Sequence, residues 1–468
     1  MKMKKLLLLS SLLFATTVSG CTPGGGGDPE YIEEGATKVT IYAREFEKWS
    51  KDHLKGLVNQ FNSNLNDGIQ VSVNFYSQSN YATALTVARE NGRSPDLYMS
   101  TYAELYNSHI QGNHAAPIDE YLSEEAKNDI ITAYKEMCTY PDKDGVNHLY
   151  AYPWNVEPGS LFFYRKDMLQ QAGVASVPKS WAELYDACSK LVSSGTVGLG
   201  KYACGLPLGA YETTWVTYGM QQNTTGGLVV EDDWRTIRLN KEPSAQGFKD
   251  IAEFFYTMYS NNYSQTGSLT AEGYTYSVDA LCDGVLAMTF SGSWGFAEIF
   301  DYTQGDEEII NNIGVAPIPT IDGDQSGCTS ANGGWCYVMS EESKNKQAAA
   351  TFLNWMFTED ASRTGEYFIK AYQSKAATSH SVQNYLSSVE LNVPSDWFNV
   401  CNTVASNGIP EATFPWEVGQ EYGKVLETME LNCKQGPFEG LYAKALATAI
   451  NNINTIMSRA SYPTNPKL

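Results

Sequence analysis

Histidine is scarce in this chain, with five in 468 residues. So few imidazoles leave little room for His-based metal chemistry. Charged residues make up only 18% of the chain, which excludes a disordered or coiled-coil protein. Positive charge is the scarcer sign: 32 Lys+Arg stand against 53 Asp+Glu, a formal net charge of −21. That field repels nucleic acid and anionic lipid. It also disfavours anionic small molecules unless a local basic pocket overrides it. Catalytic signatures are missing as well. There is no HExxH, no CxxC and no GxSxG; Gly292-Ser293-Trp294-Gly295 only looks similar to the last. Gly195 to Lys201 fits GxxxxGK, but Tyr202 stands where a P-loop has Ser or Thr. A helix precedes that stretch and a strand follows, the reverse of P-loop order. His109 and His114 are five apart, off a common helical face, and are expected at the surface. Carboxylates are numerous, yet no flanking motif nominates a glycosidase pair. No internal repeat of solenoid period is present.

What is present bounds the class. With 43% hydrophobic residues the chain can build a large core, and its length suits two or three domains. Of its aromatic residues, 30 are Tyr and 10 are Trp. Rings with a polar handle suit wet, half-buried sites. Residues 1–20 read as a secretory signal. Lys2, Lys4 and Lys5 form its basic region, and residues 6–18 its apolar one, too short to span a bilayer with ease. Val18-Ser19-Gly20-Cys21 resembles a bacterial lipobox, which implies a lipid on Cys21. Residues 21–36, with Gly24 to Gly27, read as a flexible tether. No other apolar run approaches 18 residues. The picture is a globular body held on the outer face of a cell membrane. Eight cysteines remain after Cys21, an even number that permits disulfides outside the cytoplasm; their spacing assigns no pairs.

Periodicity predicts α/β alternation. Residues 38–42 and 69–75 alternate as strands, and 96–100 makes a third. Leu54, Leu57, Val58 and Phe61 form a helical face between the first two. Pro and Gly then punctuate 141–160. Residues 161–164 read as a buried strand, and Ser180-Trp181-Ala182-Glu183 as a capping box opening a helix. Helices are expected over 248–259, from 349, and over 441–456, with strands at 284–290, 313–316 and 335–339.

Several separated stretches carry a resemblance. Tyr152-Pro153-Trp154, then Leu161 to Leu169 (LFFYRKDML), Ala172-Gly173-Val174 and Pro178 to Leu184 (PKSWAEL) stand in one order. Gly284 to Trp294 (GVLAMTFSGSW) and Gly333-Gly334-Trp335 with Ser343 to Ala349 and Phe352-Leu353 follow. Together they resemble the sugar-type extracellular solute-binding proteins of ABC importers, the relatives of maltose-binding protein, over roughly residues 38–375. The chain departs from that pattern at Arg165, at the cysteine-containing 136–150 and after 380.

The resemblance implies a two-lobe, type II periplasmic-binding fold, each lobe a mostly parallel sheet flanked by helices. Crossings are expected near Pro153, Phe290 and Trp335, giving lobe one as 37–152 plus 287–334 and lobe two as 153–286 plus 335–468. It also implies a binding protein rather than an enzyme, with an ABC permease as partner and no metal or cofactor. A monomer is expected. An uncharged sugar or oligosaccharide would be gripped between the lobes by stacked rings and hydrogen bonds. A stacked ring adds on the order of 1 kcal/mol beyond burial. Trp154, Trp294 and Trp335, near the crossings, are the leading ring candidates. Tyr42, Arg44 and Tyr76 end strands that should face the crevice, and Glu157 could accept from hydroxyls. Trp215 and Tyr218 are further candidates, with Trp416 below them; Asp96 is as readily a loop cap. A surface-anchored glycoside hydrolase and a peptide-capture protein remain as alternative readings.

Overall fold

A computed structural model describes residues 35–45, 48–63, 68–206, 209–266, 273–372, 374–390 and 393–468. The signal segment, Cys21 and nearly all of the tether lie outside these residues.

In chain order the strands begin with β1 (Thr37–Glu45), β2 (Ile69–Ser77), β3 (Leu97–Thr101), β4 (Thr139–Pro141) and β5 (Asn147–Leu149). Then come β6 (Ala151–Pro158), β7 (Leu161–Arg165), β8 (Tyr202–Gly205), β9 (Leu286–Ser291) and β10 (Ile313–Ala316). The last are β11 (Ala331–Met339), β12 (Ala376–Ala377) and β13 (Ile409–Pro410). They form two principal sheets. The first runs β12-β6-β11-β3-β1-β2, with β13 on β11; the second runs β10-β7-β9-β8. Helices flank both, and each sheet has its own core. Val39, Ile41, Val71, Tyr98 and Phe352 belong to the first, and Phe162, Leu184, Phe255, Met288 and Val425 to the second. A third cluster around Phe163, Phe296 and Trp397 covers the other face of the second sheet.

Local sequence explains these elements. In β1, Val39, Ile41 and Ala43 are fully buried while their neighbours are less so, the period of two that fixes register. Leu54, Leu57, Val58 and Phe61 are buried on the helix Lys48–Ser63. The capping box is present: the Ser180 hydroxyl accepts from the Glu183 N–H at 3.2 Å, and Glu183 Oε2 accepts from the Ser180 N–H at 3.2 Å. Asp96 is a structural tie. It accepts from the Thr40 N–H at 2.8 Å and the Ser343 hydroxyl at 2.6 Å. All eight cysteines are unpaired, most of them buried. His109 is buried rather than at the surface, 3.0 Å from Arg89 Nη2.

Two expectations need correction. Residues 287–334, assigned to lobe one, carry β9 and β10, which pair with β7 in the second sheet. Residues from 335, assigned to lobe two, carry most of β11 and all of β12, which join β6 in the first sheet. So no crossing occurs near Phe290. The chain leaves the first sheet after Pro158 and returns to it at Ala331. It crosses a third time between the helices His380–Ser387 and Ser395–Asn407. Second, both sheets are mixed. In each, the strand that brings the chain in from the other lobe, β7 or β11, runs antiparallel to its principal neighbours. Such a strand begins at the interlobe edge, whereas its neighbours end there.

The crossings are tightly packed. A Cβ added to Gly219, on the helix Gly209–Thr225, would lie 1.9 Å from the Thr329 carbonyl oxygen, just before β11. Backbone cannot yield as a side chain does. Gly219→Ala is therefore expected to destabilise the protein by about 1–3 kcal/mol, read as a lower midpoint in urea unfolding.

Candidate ligand-binding cleft

Because β1, β2, β3 and β6 of the first sheet and β8, β9 and β10 of the second end at the interlobe edge, residues at their carboxyl ends meet there. A cavity of about 1000 Å³ occupies this position. Its first wall includes Thr101 at the end of β3 and Ala103 beyond it, Glu157 on β6, Gly334 and Trp335 on β11, and Lys375. Its second wall includes Trp215, Trp294, Glu298, Glu411 and Trp416. Trp215 comes from the helix Gly209–Thr225, Trp294 from the turn after β9, and Trp416 from the start of the helix Trp416–Asn432.

Five residues singled out in the sequence line the cavity: Glu157, Trp215, Trp294, Trp335 and Trp416. Trp215 is wedged against the crossing strands. A Cβ on Gly159 would lie 2.7 Å from its Nε1, and one on Gly333 only 1.9 Å from its Cη2. Glycine at both positions is what lets the indole reach the cleft.

Five others are not on the cavity lining. Trp154 belongs to the first core, with its ring 4.4 Å from Tyr367 and 5.6 Å from Tyr337. It sits at a β-bulge, where Trp335 faces Asn155 but Cys336 faces Pro153, and its ring joins the cluster in which Tyr152 stacks on Phe357 beside Tyr337. Tyr218 is buried behind Trp215, ring centroids 6.0 Å apart. Tyr42 and Tyr76 pair with each other across β1 and β2, centroids 4.8 Å apart. Arg44 is buried one layer back. Its guanidinium lies 4.6 Å from the Trp335 ring centroid, and Nη2 donates to Glu104 Oε2 at 2.9 Å. It thus holds Trp335 by a cation–π contact instead of facing the cavity.

Glu104, Lys375 and Glu411 were not anticipated. Glu104 had a signal: Thr101-x-x-Glu104 is a capping box directly after a strand, and both of its bonds are made. Lys375 and Glu411 have no local signal. Lys375 Nζ lies 3.4 Å from Glu157 Oε2, both side chains being more than nine-tenths buried. Glu411 is carried in by β13, whose Ile409 pairs with Ala331 of β11. Its Oε1 accepts from the Ala103 N–H at 2.7 Å, tying the two walls together. Burial pushes the Glu411 carboxyl well above the usual carboxylate range. The Ala103 N–H opposes that, and the charges of Glu104 and Glu157 reinforce it.

Two lobes with separate cores, crossed by three chain segments and enclosing a ring-lined cleft, define a hinged ligand-binding protein. The chain belongs to the bacterial extracellular solute-binding proteins, whose family profile matches residues 49–363. This is a family of solute-binding proteins, not of enzymes. A probable ABC transporter-binding protein of Deinococcus radiodurans is 27% identical over 44% of this chain and 47% of its own length. An uncharacterized ABC transporter extracellular-binding protein of Pyrococcus horikoshii is 23% identical over 77% of each chain. Among solved structures, an ABC transporter solute-binding protein of Thermotoga lettingae bound with alpha-D-tagatose superposes with a TM-score of 0.69 at 19% identity. That match covers 90% of this chain and 100% of the other, and shows the shared two-lobe fold.

Glu411 makes stability depend on pH. Its folded-state proton is held to higher pH than in the unfolded chain. Between those two values the folded state binds more protons, so stability falls as pH rises through that window. Glu411→Gln keeps an acceptor for the Ala103 N–H and has no charge to bury. It should raise the unfolding temperature near pH 8 and leave it almost unchanged near pH 4, where both forms of the wild-type carboxyl are largely protonated (ordinary Glu titrates at about 4.3).

Proposed function

We infer that this protein is the capture subunit of an ABC importer, held to the outer face of the cytoplasmic membrane by lipid on Cys21. It closes its lobes around a sugar or oligosaccharide and hands it unaltered to the permease. The observation carrying this reading is the cleft: four indoles, Trp215, Trp294, Trp335 and Trp416, line one cavity together with several carboxylates. Indole faces cover the C–H faces of a pyranose, and carboxylates and backbone groups take its hydroxyls. The indoles come from both lobes, so gripping a ring stack requires closure. A cavity of about 1000 Å³ lies at the upper end of small-ligand sites, which suits several linked sugars. The Thermotoga protein's bound alpha-D-tagatose and the transporter names of the relatives support the same class. The signal-like segment and lipobox support the location.

A thermal-shift screen of mono- and oligosaccharides on the protein lacking residues 1–20 tests the reading, since a ligand bound only to the folded state raises its melting temperature. Trp215→Ala, Trp294→Ala and Trp335→Ala should each weaken binding of the hit by roughly tenfold with the fold intact, on the order of 1–2 kcal/mol per lost ring. Trp154→Ala should instead lower stability, as expected for a core ring. Unchanged affinity in the first three, or cleavage of the hit, contradicts the proposal.

A further inference from the structure

The two lobes also touch along one flank of the cleft. After β3 the first lobe winds as a π-helix over Leu105–Ile110, a form often found at functional sites. Asn107 on it and Gln111 just past its end both line the cavity and both reach the second lobe. Asn107 Nδ2 donates to the Thr413 carbonyl at 2.6 Å, and Gln111 Nε2 to the Ser461 carbonyl at 2.9 Å. Beside them the Tyr106 ring meets Trp234 of the second lobe edge-on, centroids 5.9 Å apart. Lys467 extends the seam from the other side. Its Nζ donates to the Glu136 carbonyl at 2.8 Å and lies 4.0 Å from the Tyr140 ring centroid.

Much of the second-lobe side of this seam is the end of the chain, of which Arg459, Ser461, Tyr462 and Pro463 line the cavity. This segment is also fixed to its own lobe. The buried Tyr462 donates its hydroxyl to the Trp234 carbonyl at 2.6 Å, and Arg235 Nη2 donates to the Tyr462 carbonyl at 2.6 Å. Asn465 Nδ2 donates to the Asp232 carbonyl at 3.0 Å. The tail is thus pinned on both sides. Groups 2.6 and 2.9 Å apart leave no passage between the lobes at those points for a pyranose ring, whose atoms need about 3.5–4 Å on each face. While the seam holds, a glycan chain cannot run out of the cleft there.

We propose that the C-terminal segment 459–467 is an end wall of the binding site, so that the cleft captures a glycan by one terminus rather than anywhere along its length. This rests on the reading of the cleft as a sugar site and adds a rule of selection to it: the terminus that meets the wall must be bare, because a substituent on it would have to break the seam.

Titration calorimetry with capped tetraoses tests the proposal. Maltotetraose, cellotetraose and mannotetraose are each compared in three forms: free, as the 4-nitrophenyl glycoside capped at the reducing end, and as the 4,6-benzylidene acetal capped at the non-reducing end. For a tetraose that binds, one cap should weaken binding at least roughly tenfold relative to the free form. Asn107→Ala, Gln111→Ala and Lys467→Ala together remove the three donors of the seam, and in that variant the same cap should cost no more than about twofold. Gln111→Ala with Lys467→Ala serves if the triple variant does not fold. Caps tolerated at both ends, or a loss that persists in the variant, overturn the inference and leave sugar capture standing. Binding of none of the three tetraoses also overturns it, and the broader thermal screen then decides sugar capture separately.

Discussion

Everything in this molecule depends on the antiparallel pairing of β6 with β11, from Asn332 opposite Pro158 to Val338 opposite Ala151. β6 carries the chain out of the first lobe and β11 brings it back, so the pair is both part of a sheet and part of the hinge. Its end at the crossing is fixed by the Gly159 N–H donating to the Ala331 carbonyl at 2.8 Å and the Ser160 N–H to the Ser330 hydroxyl at 3.0 Å. Because β11 starts at the cleft, Trp335 is near its beginning and faces the cavity. Because β6 ends there, Glu157 does too. The glycines of the same segments leave the space that Trp215 fills from the other lobe.

Much of the fold was legible because burial imposes a period. β1, the helix Lys48–Ser63, β10 and the capped helix from Trp181 all follow from apolar spacing or a cap. What period does not encode is partnership between distant segments. β9 reads as a buried strand from any viewpoint, and nothing in its residues says which sheet receives it. Hence the segments on either side of residue 335 were assigned to the wrong lobes. β6 escaped notice for another reason. Pro153 and Pro158 look like loop residues, yet one sits at the bulge and the other ends the strand, where proline is tolerated.

The cleft was legible to the same degree. Of the tryptophans chosen after a crossing or in a glycine turn, Trp294 and Trp335 line the cavity. Trp154 differs because nearness to a crossing does not say which face of a strand a residue takes, and its face packs on Tyr337 and Tyr367 in the first core. Lys375 and Glu411 come from stretches that acquire meaning only when β12 and β13 dock beside β6 and β11. The site is therefore built in layers. Indoles from both lobes supply broad apolar faces, carboxylates surround them, and the cations present are already engaged. That arrangement disfavours an anionic solute, in keeping with the net charge of the whole chain.

Small-angle X-ray scattering of the protein, with and without the saccharide that gives the largest thermal shift, tests the central claim most directly. Closure of two lobes on a ligand between them predicts a smaller radius of gyration and a shorter maximum dimension at saturation, with the saccharide recovered intact. Identical scattering curves at saturating ligand would contradict capture by lobe closure.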